Sequence, residues 1–196
     1  MGDVRKIGSW NVRTLYEKGK YENLVKEAGT KEIDILGVCE HRWAETGTIN
    51  GETHTFIYSG GNRHEHGVGI LLNKKLTKYV KGKWLVSPRN MLIKLNAQPF
   101  DIAIIQTYAP TTSYSDEDIE AHYDEIEMML KEVASTDVLV VMGDFNAKVG
   151  KGKEEDIIGE FGLGERNERG DRLAHFCIEN DLSVVNTFPQ KPARKL

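Results

Sequence analysis

Short apolar segments separated by Gly, Asn or Pro recur along most of the chain, and they restrict its possible folds more than any other feature. The run from Val138 to Met142 is apolar at every position, which is typical of a strand buried on both faces. Sheets packed face to face are the usual way to bury so many short strands. The predicted strands are Arg5–Trp10, Ile33–Cys39, Thr53–Ser59, Gly67–Leu72, Leu76–Leu85, Asn90–Leu95, Ile102–Tyr108, Val138–Met142 and Ser183–Asn186.

Three other segments show helical periodicity. The strongest is predicted from Ser115 to about Ser135, because Ser115 and Asp118 have the spacing of a capping box. The other two have apolar side chains spaced for one helical face, namely Tyr21, Leu24, Val25 and Ala28, and then Leu173, Phe176 and Cys177. Strands interleaved with a few helices indicate an α/β sandwich, with sheets inside and helices outside.

Composition excludes several classes of protein. A net charge of −4 excludes binding to nucleic acid through bulk positive charge, although an enzyme can contact phosphate through a metal and a few local cations. No apolar run approaches the length of a membrane helix, and no apolar signal-peptide core follows Met1. The only cysteines, Cys39 and Cys177, lack metal-site spacing. We therefore expect a nuclear or cytoplasmic protein that is neither secreted nor bound to a membrane.

The segment from Val138 to Asn146 contains the most informative candidates for chemistry. A buried strand is predicted to lead directly into Asp144, with Asn146 two residues later. Because side chains alternate along a strand, both are expected to point to the same side. A carboxylate at the end of an apolar strand is costly unless a metal, a cation or several donors meet it. α/β folds bind their ligands at these strand ends.

Two other predicted strands end in the same way. The first is followed by Asn11 and Arg13, and the second by Glu40, His41 and Arg42. Carboxylate and amide oxygens are the ligands that Mg²⁺ prefers, often with only one or two carboxylates. We therefore predict that Asn11, Glu40, Asp144 and Asn146 converge at the ends of adjacent strands.

The histidines are weaker candidates. His64 and His66 are assigned to a solvated loop rather than to a metal pair. His41 either lines the cleft beside Glu40 or is exposed. His54, His122 and His175 are interpreted as structural or surface residues.

The chain contains six further motifs, namely Trp10-Asn-Val-Arg-Thr-Leu15, Gly67-Val-Gly-Ile-Leu-Leu-Asn73, Gln106-Thr-Tyr-Ala-Pro110, Gly143-Asp-Phe-Asn-Ala-Lys-Val-Gly150, Asn167-Glu-Arg-Gly-Asp-Arg-Leu173 and Asn186-Thr-Phe188. Their set and order resemble the endonuclease/exonuclease/phosphatase superfamily, which includes apurinic endonucleases and DNase I. The first motif and the last three also resemble the endonuclease domain of RTE-type non-LTR retrotransposons, which is associated with a reverse transcriptase, and the related craniofacial-development-protein-like genes. The resemblance covers residues 5–196 and implies a DNase I-like four-layer α/β sandwich with two packed mixed sheets.

The resemblance also implies a role for each candidate. Mg²⁺, or Mn²⁺, is expected as cofactor and DNA as substrate, and the expected reaction is nicking of a DNA strand by phosphodiester hydrolysis. The implied roles are metal binding for Glu40 and Asn11, phosphate or DNA binding for Arg42 and Arg13, contact with the scissile phosphate for Tyr108, proton handling for Asp144, and orientation of water for Asn146.

Two family segments, Ile/Leu-Asp-Tyr and Ser-Asp-His, do not occur in this sequence. We therefore expect the N-terminal portion of the domain, with the last strands missing and with self-association possible through unfinished sheet edges. One alternative function is a catalytically inactive relic that acts at most as a binding module. Another is a phosphatase or phosphodiesterase that acts on a different phosphoester.

Overall fold

The structure, a computed structural model, describes residues 6–189, which form two compact units. The first unit comprises residues 6–110 and Tyr114–Asp144, and it contains both sheets. The second comprises Thr111–Ser113 and residues 145–189. The domain predicted over residues 5–196 begins at Arg5 and ends at Leu196, both outside the described residues.

The first sheet of this unit has five strands in the order β1-β2-β5-β4-β3. β1 and β2 are parallel and the other neighbours are antiparallel, so the sheet is mixed. The strands are β1 (Ile7–Asn11), β2 (Ile35–Cys39), β3 (Thr46–Asn50), β4 (His54–Ser59) and β5 (Val68–Asn73).

The second sheet has four strands in the order β6-β7-β8-β9. Its first two pairings are antiparallel, whereas β8 and β9 are parallel. The strands are β6 (Val80–Leu85), β7 (Asn90–Leu95), β8 (Ile102–Tyr108) and β9 (Val138–Asp144).

The two sheets pack against each other, and helices cover their outer faces. Helix α1 (Lys20–Thr30) buries Leu24 and Ala28 against the outer face of the five-stranded sheet. A second short helix, α2 (Lys74–Thr77), follows β5, and α3 (Asp116–Leu130) packs on β7 of the four-stranded sheet. This arrangement confirms the predicted four-layer sandwich with two mixed sheets. The buried residues between the sheets are Ile35, Cys39, Ile57, Val68, Ile70 and Leu72 from the first, and Met91, Ile93, Leu95, Ile104 and Tyr108 from the second.

Two predicted elements of the first unit have different bounds. The strand predicted over Leu76–Leu85 is wrong in its first part, because the Asn73 side chain accepts the backbone N–H of Lys75 and starts α2 instead. Helix α3 has the predicted capping box but ends at Leu130 rather than near Ser135. The backbone N–H of Ala134 donates to the Asp137 carboxylate at 3.1 Å, so this segment turns toward β9.

The strand predictions miss one element and overstate the burial of another. β3 was not predicted, and its alternating exposure shows that it lies at a sheet edge, where an apolar run is not required. β9 is not buried on both faces, and Val138 is 48% exposed. Within the described residues, β9 pairs with β8 on one side only.

In the second unit, α4 (Glu168–Glu179) is capped by the Asn167 side chain, which accepts the backbone N–H of Gly170 at 2.9 Å. The strand predicted at Ser183–Asn186 is wrong. Val184 makes only an isolated bridge to Ile158, and a 3-10 helix, Val185–Thr187, follows. Among residues 6–189, no helix has both the length and the apolar character needed to cross a bilayer.

Candidate active site

The centre of the candidate site is the carboxamide of Asn11, at the end of β1. Its Nδ2 donates to Glu40 Oε1 at 2.7 Å and to Asp144 Oδ2 at 2.9 Å. Asn11 ends β1 and Glu40 directly follows β2. The two strands are adjacent, as predicted, and they are parallel, with Asn11 paired to Cys39. Asp144 ends β9 of the other sheet. The prediction that these strands are all adjacent is therefore wrong, because sheet-on-sheet packing brings the two carboxylates to one amide.

Both carboxylate oxygens of Glu40 accept hydrogen bonds. Arg42 Nη2 donates to Glu40 Oε2 at 2.8 Å, so each carboxylate oxygen has a donor. Burial raises the pKa of Glu40, but hydrogen bonds from Arg42, Asn11 and Tyr108 outweigh it, and the net pKa is lowered. Glu40 is therefore ionised at neutral pH.

Tyr108, at the end of β8, is buried beside Glu40. Burial raises the pKa of its phenol to about 12, and the hydrogen bond to Glu40 and the charge of Glu40 act in the same direction. The phenol thus keeps its proton and donates a hydrogen bond to the carboxylate.

Asp144 reaches the site because Gly143 lets β9 lie close to β8. Gly143 has a φ of 149°, and a Cβ atom there would lie 1.9 Å from the carbonyl oxygen of Thr107. Asp144 pairs with Tyr108 in the parallel register, and its carbonyl oxygen accepts the backbone N–H of Ala109 at 2.9 Å. A larger residue at position 143 would push this strand end away from Tyr108.

Four residues of the predicted site, Arg13, Glu40, Arg42 and Asn146, have left-handed backbones although none is glycine. Arg13, Glu40 and Arg42 have φ values of 59°, 58° and 59°. Such conformations cost free energy and persist where the surrounding structure imposes them, often at functional sites. At Arg13 the backbone N–H donates to Asn11 Oδ1 at 3.0 Å, which fixes the orientation of the bridging carboxamide.

The prediction that the Asp144 and Asn146 side chains point to the same side of one strand does not apply to the structure. β9 ends at Asp144, and Asn146 has a φ of 47°, so its side chain is not placed by strand geometry. Asn146 belongs to the second compact unit. Its proposed role in orienting water stays a prediction from the sequence.

His41 neither lines the cleft nor is exposed, so both alternatives for it are wrong. It is fully buried, its Nδ1 accepts the backbone N–H of Trp43 at 3.0 Å, and its Nε2 donates to the carbonyl oxygen of Ser59 at 3.1 Å. Burial lowers the pKa of His41 to about 4. It is a neutral structural residue that anchors the turn after Glu40.

His64 and His66 make contacts unlike those of a metal pair. His64 stacks on Tyr16 at a ring distance of 4.4 Å, whereas His66 lies 5.9 Å from the Tyr108 ring. Within residues 6–189, no group of three or more His, Cys, Asp or Glu side chains is close enough to hold a metal ion.

Arg89 is a residue of the site that the sequence interpretation missed. Its guanidinium lies 5.2 Å from the centre of the Tyr108 ring and 4.9 Å from that of Tyr114, and it donates to the Tyr108 carbonyl oxygen at 3.1 Å. The available signal was its position directly before β7, whose first residue, Asn90, pairs with Thr107 of β8. A single arginine in a loop is too common a feature to be selected without that register.

The two mixed sheets, their flanking helices and the polar residues at their strand ends define a DNase I-like α/β protein. An AP endonuclease from Leishmania major has the same fold, with a TM-score of 0.60, 14% identity and coverage of 87% of this chain and 65% of that one. The endonuclease domain of TRAS1, a telomere-specific non-LTR retrotransposon, matches with a TM-score of 0.53, 17% identity and coverage of 87% and 68%.

At the sequence level, residues 8–153 match the model of the Endonuclease/Exonuclease/phosphatase family. Craniofacial development protein 2 of Bos taurus is 36% identical to this chain over 191 residues, or 97% of its length. The chain belongs to the endonuclease/exonuclease/phosphatase family, as the motifs indicated. It spans about a third of the length of the curated relatives that it matches, 32% and 33%.

Proposed function

We propose that this chain hydrolyses phosphodiester bonds in DNA and nicks one strand, with Mg²⁺ or Mn²⁺ as cofactor. The observation that carries the proposal is the Asn11 carboxamide, which holds Glu40 and Asp144 together at the ends of strands from two sheets. Convergent polar groups at the carboxyl ends of strands are typical of ligand sites in α/β proteins. Family membership restricts the chemistry to phosphate esters.

The donor set of the site fits a hard divalent cation. Glu40 is ionised and half-buried, and Mg²⁺ is commonly held by one or two carboxylates together with water and substrate phosphate. Glu40 would be the principal ligand. Asn11 is a second candidate through Oδ1, the oxygen that accepts the Arg13 N–H in this structure. When bound, such an ion supplies Lewis-acid stabilisation of negative charge on phosphate oxygens.

The other residues can act on the phosphate and on a proton. Asp144 is a partly exposed carboxylate held by Asn11, so it can accept a proton from attacking water or return one to the leaving oxygen. The Tyr108 phenol keeps its proton, which makes it a donor to a phosphate oxygen. The positive charges of Arg42, Arg13 and Arg89 would attract the phosphate backbone, with Arg89 held against the Tyr108 ring.

DNA is proposed as the substrate because of the relatives. The two similar structures described above are both named as endonucleases, one of them from a non-LTR retrotransposon. The motif set shared with retrotransposon-type endonucleases supports the same substrate. A net charge of −4 is compatible with it, because Arg42, Arg13 and Arg89 supply positive charge locally at the site.

Nicking of supercoiled plasmid by the purified chain tests the proposal. We expect relaxed circles in Mg²⁺ or Mn²⁺ and none in excess EDTA. Nicking that persists in EDTA would refute the metal requirement. Binding of the plasmid without nicking, in either metal, would refute the hydrolysis and favour a binding module. Release of phosphate from monoesters without plasmid nicking would favour a phosphatase.

A further inference from the structure

The site draws its residues from both sheets, so its geometry depends on how the sheets are offset. Asn11 and Glu40 follow strands of the five-stranded sheet, whereas Tyr108 and Asp144 end strands of the four-stranded sheet. Most contacts between the sheets are apolar. Apolar contact is non-directional, so it does not by itself fix one sheet relative to the other to a fraction of an ångström.

The polar side chain of Gln106 spans the two sheets directly beneath the site. It is fully buried on β8, and its Nε2 donates to Cys39 Sγ of β2 at 3.0 Å and to Ser9 Oγ of β1 at 3.4 Å. Cys39 Sγ in turn donates to the carbonyl oxygen of Thr107 at 3.2 Å. These bonds join the three strands that carry Asn11, Glu40 and Tyr108.

The strand registers place these contacts one layer below the site. Ser9 pairs with Gly37, and Gln106 pairs with Met142. Two residues further along each strand, on the same face, the corresponding pairs are Asn11 with Cys39 and Tyr108 with Asp144.

Gly37 leaves space for the Gln106 side chain, and the buried position of Gln106 costs folding free energy. Gly37 is essential to its position, because a Cβ atom there would lie 1.7 Å from Gln106 Oε1. The same oxygen is buried and has no hydrogen-bond partner among residues 6–189. A buried polar atom without a partner destabilises the folded state. A methionine would fill the same volume without that cost, so stability alone does not explain a glutamine here.

We propose that Gln106 is a positioning residue that fixes the offset of the two sheets and thereby holds the Asn11 carboxamide between Glu40 and Asp144. Its role serves the proposed hydrolysis. The geometry of the site can be measured without catalysis. Such a measurement therefore tests the role of Gln106 even if the proposed hydrolysis is refuted.

The test follows the two side-chain N–H protons of Asn11 by NMR in the 196-residue chain. One proton is bonded to Glu40 and the other to Asp144, so each reports on one sheet. In Gln106→Met we expect the proton facing Asp144 to lose its hydrogen-bonded shift and to exchange about fivefold faster, as for loss of one hydrogen bond. The free energy of unfolding should be unchanged or higher, an outcome that a merely structural role does not produce.

Two further variants keep the proposal falsifiable. Cys39→Ala removes the nearer of the two acceptors of Gln106 Nε2 and should disturb the same Asn11 proton, even if Gln106→Met does not fold. Ile104→Val is the matched control, because Ile104 is buried between the sheets two residues earlier on the same face of β8. It should lower stability and leave the Asn11 protons unchanged. An unchanged Asn11 pair in Gln106→Met or Cys39→Ala would overturn the proposal, as would an equal disturbance in Ile104→Val.

Discussion

The two halves of the candidate site are held in different ways. Beside the five-stranded sheet, Glu40 has a left-handed backbone and accepts hydrogen bonds from Asn11, which ends β1, and from Arg42, two residues later in the chain. On the four-stranded sheet, Asp144 and Tyr108 are placed by the regular register of β9 and β8, with Gly143 allowing the close approach. The first half is held by local bonds and strain, and the second by sheet regularity. The proposed roles differ in the same way, with metal binding assigned to the first half and proton transfer to the second.

Each half also has a neutral, buried histidine. His41 follows Glu40 directly, and His122 Nε2 donates to Thr107 Oγ1, next to Tyr108. Burial lowers the pKa of both to about 4, from an ordinary 6.5, and the charge of Arg89 adds to the effect at His122.

The largest expected effect is therefore loss of stability in mild acid. The unfolded histidines take up protons below pH 6.5 while the folded ones do not, so stability is full above that pH and falls toward pH 4. Urea unfolding at about pH 5 should show a loss of roughly 2 kcal/mol per histidine relative to about pH 7.5. His175→Gln, at an exposed histidine, should leave this difference intact. A flat profile would contradict the assignment, and hydrogen exchange in β1–β2 and β8–β9 would show whether one half opens first.

The next effect concerns the four-stranded half. Asp144→Asn keeps the hydrogen bond to Asn11 possible but removes the proton acceptor. The rate of plasmid nicking should fall by about 10² or more, as expected when a positioned acid–base group is lost. Asp124→Asn, at an exposed position of α3, is the matched control and should nick at the wild-type rate. Near-wild-type nicking by Asp144→Asn would exclude the proposed role.

The five-stranded half should respond in metal affinity. Glu40→Gln removes the negative charge of the principal candidate ligand and should weaken Mg²⁺ or Mn²⁺ binding by at least about tenfold in calorimetric titration. Glu22→Gln, on the exposed face of α1, provides the comparison. Equal binding by wild type and Glu40→Gln would exclude Glu40 as a metal ligand. It would also contradict the proposal that the five-stranded half binds the metal.

The smallest effect is expected at the rim of the site. Arg42→Gln removes a donor that lowers the pKa of Glu40, so that pKa should rise in a carboxyl NMR titration. The Arg42 side chain is 46% exposed, so the loss of stability at neutral pH should stay below about 1 kcal/mol. Because the pKa of Glu40 is lowered on folding, this difference should be present at neutral pH and vanish in acid, once Glu40 is protonated. A difference of equal size at low pH would show that Arg42 acts through packing.

The sequence by itself determined most of the strands, the three longer helices and the family. Apolar runs end at Asn11, Glu40, Tyr108 and Asp144 whatever the tertiary arrangement, because strand and turn patterns are local properties of the chain. The Ser115–Asp118 capping box is local as well and formed as predicted. The edge strand β3 was not predicted, because the strand predictions relied on apolar runs and an exposed edge strand does not need one.

Only the tertiary structure decided which strand ends lie close together and how their side chains change one another's hydrogen bonds and pKa values. The bridge from Asn11 to Asp144 joins residues 133 positions apart in different sheets, and no local pattern encodes their distance. The contact of Arg89 with Tyr108, the burial of His41 and the span of Gln106 between the sheets likewise depend on packing. Short-range patterns set where the backbone is extended and where it turns. Packing of one sheet on the other sets side-chain distances and pKa values, because these depend on neighbours that are remote in the chain.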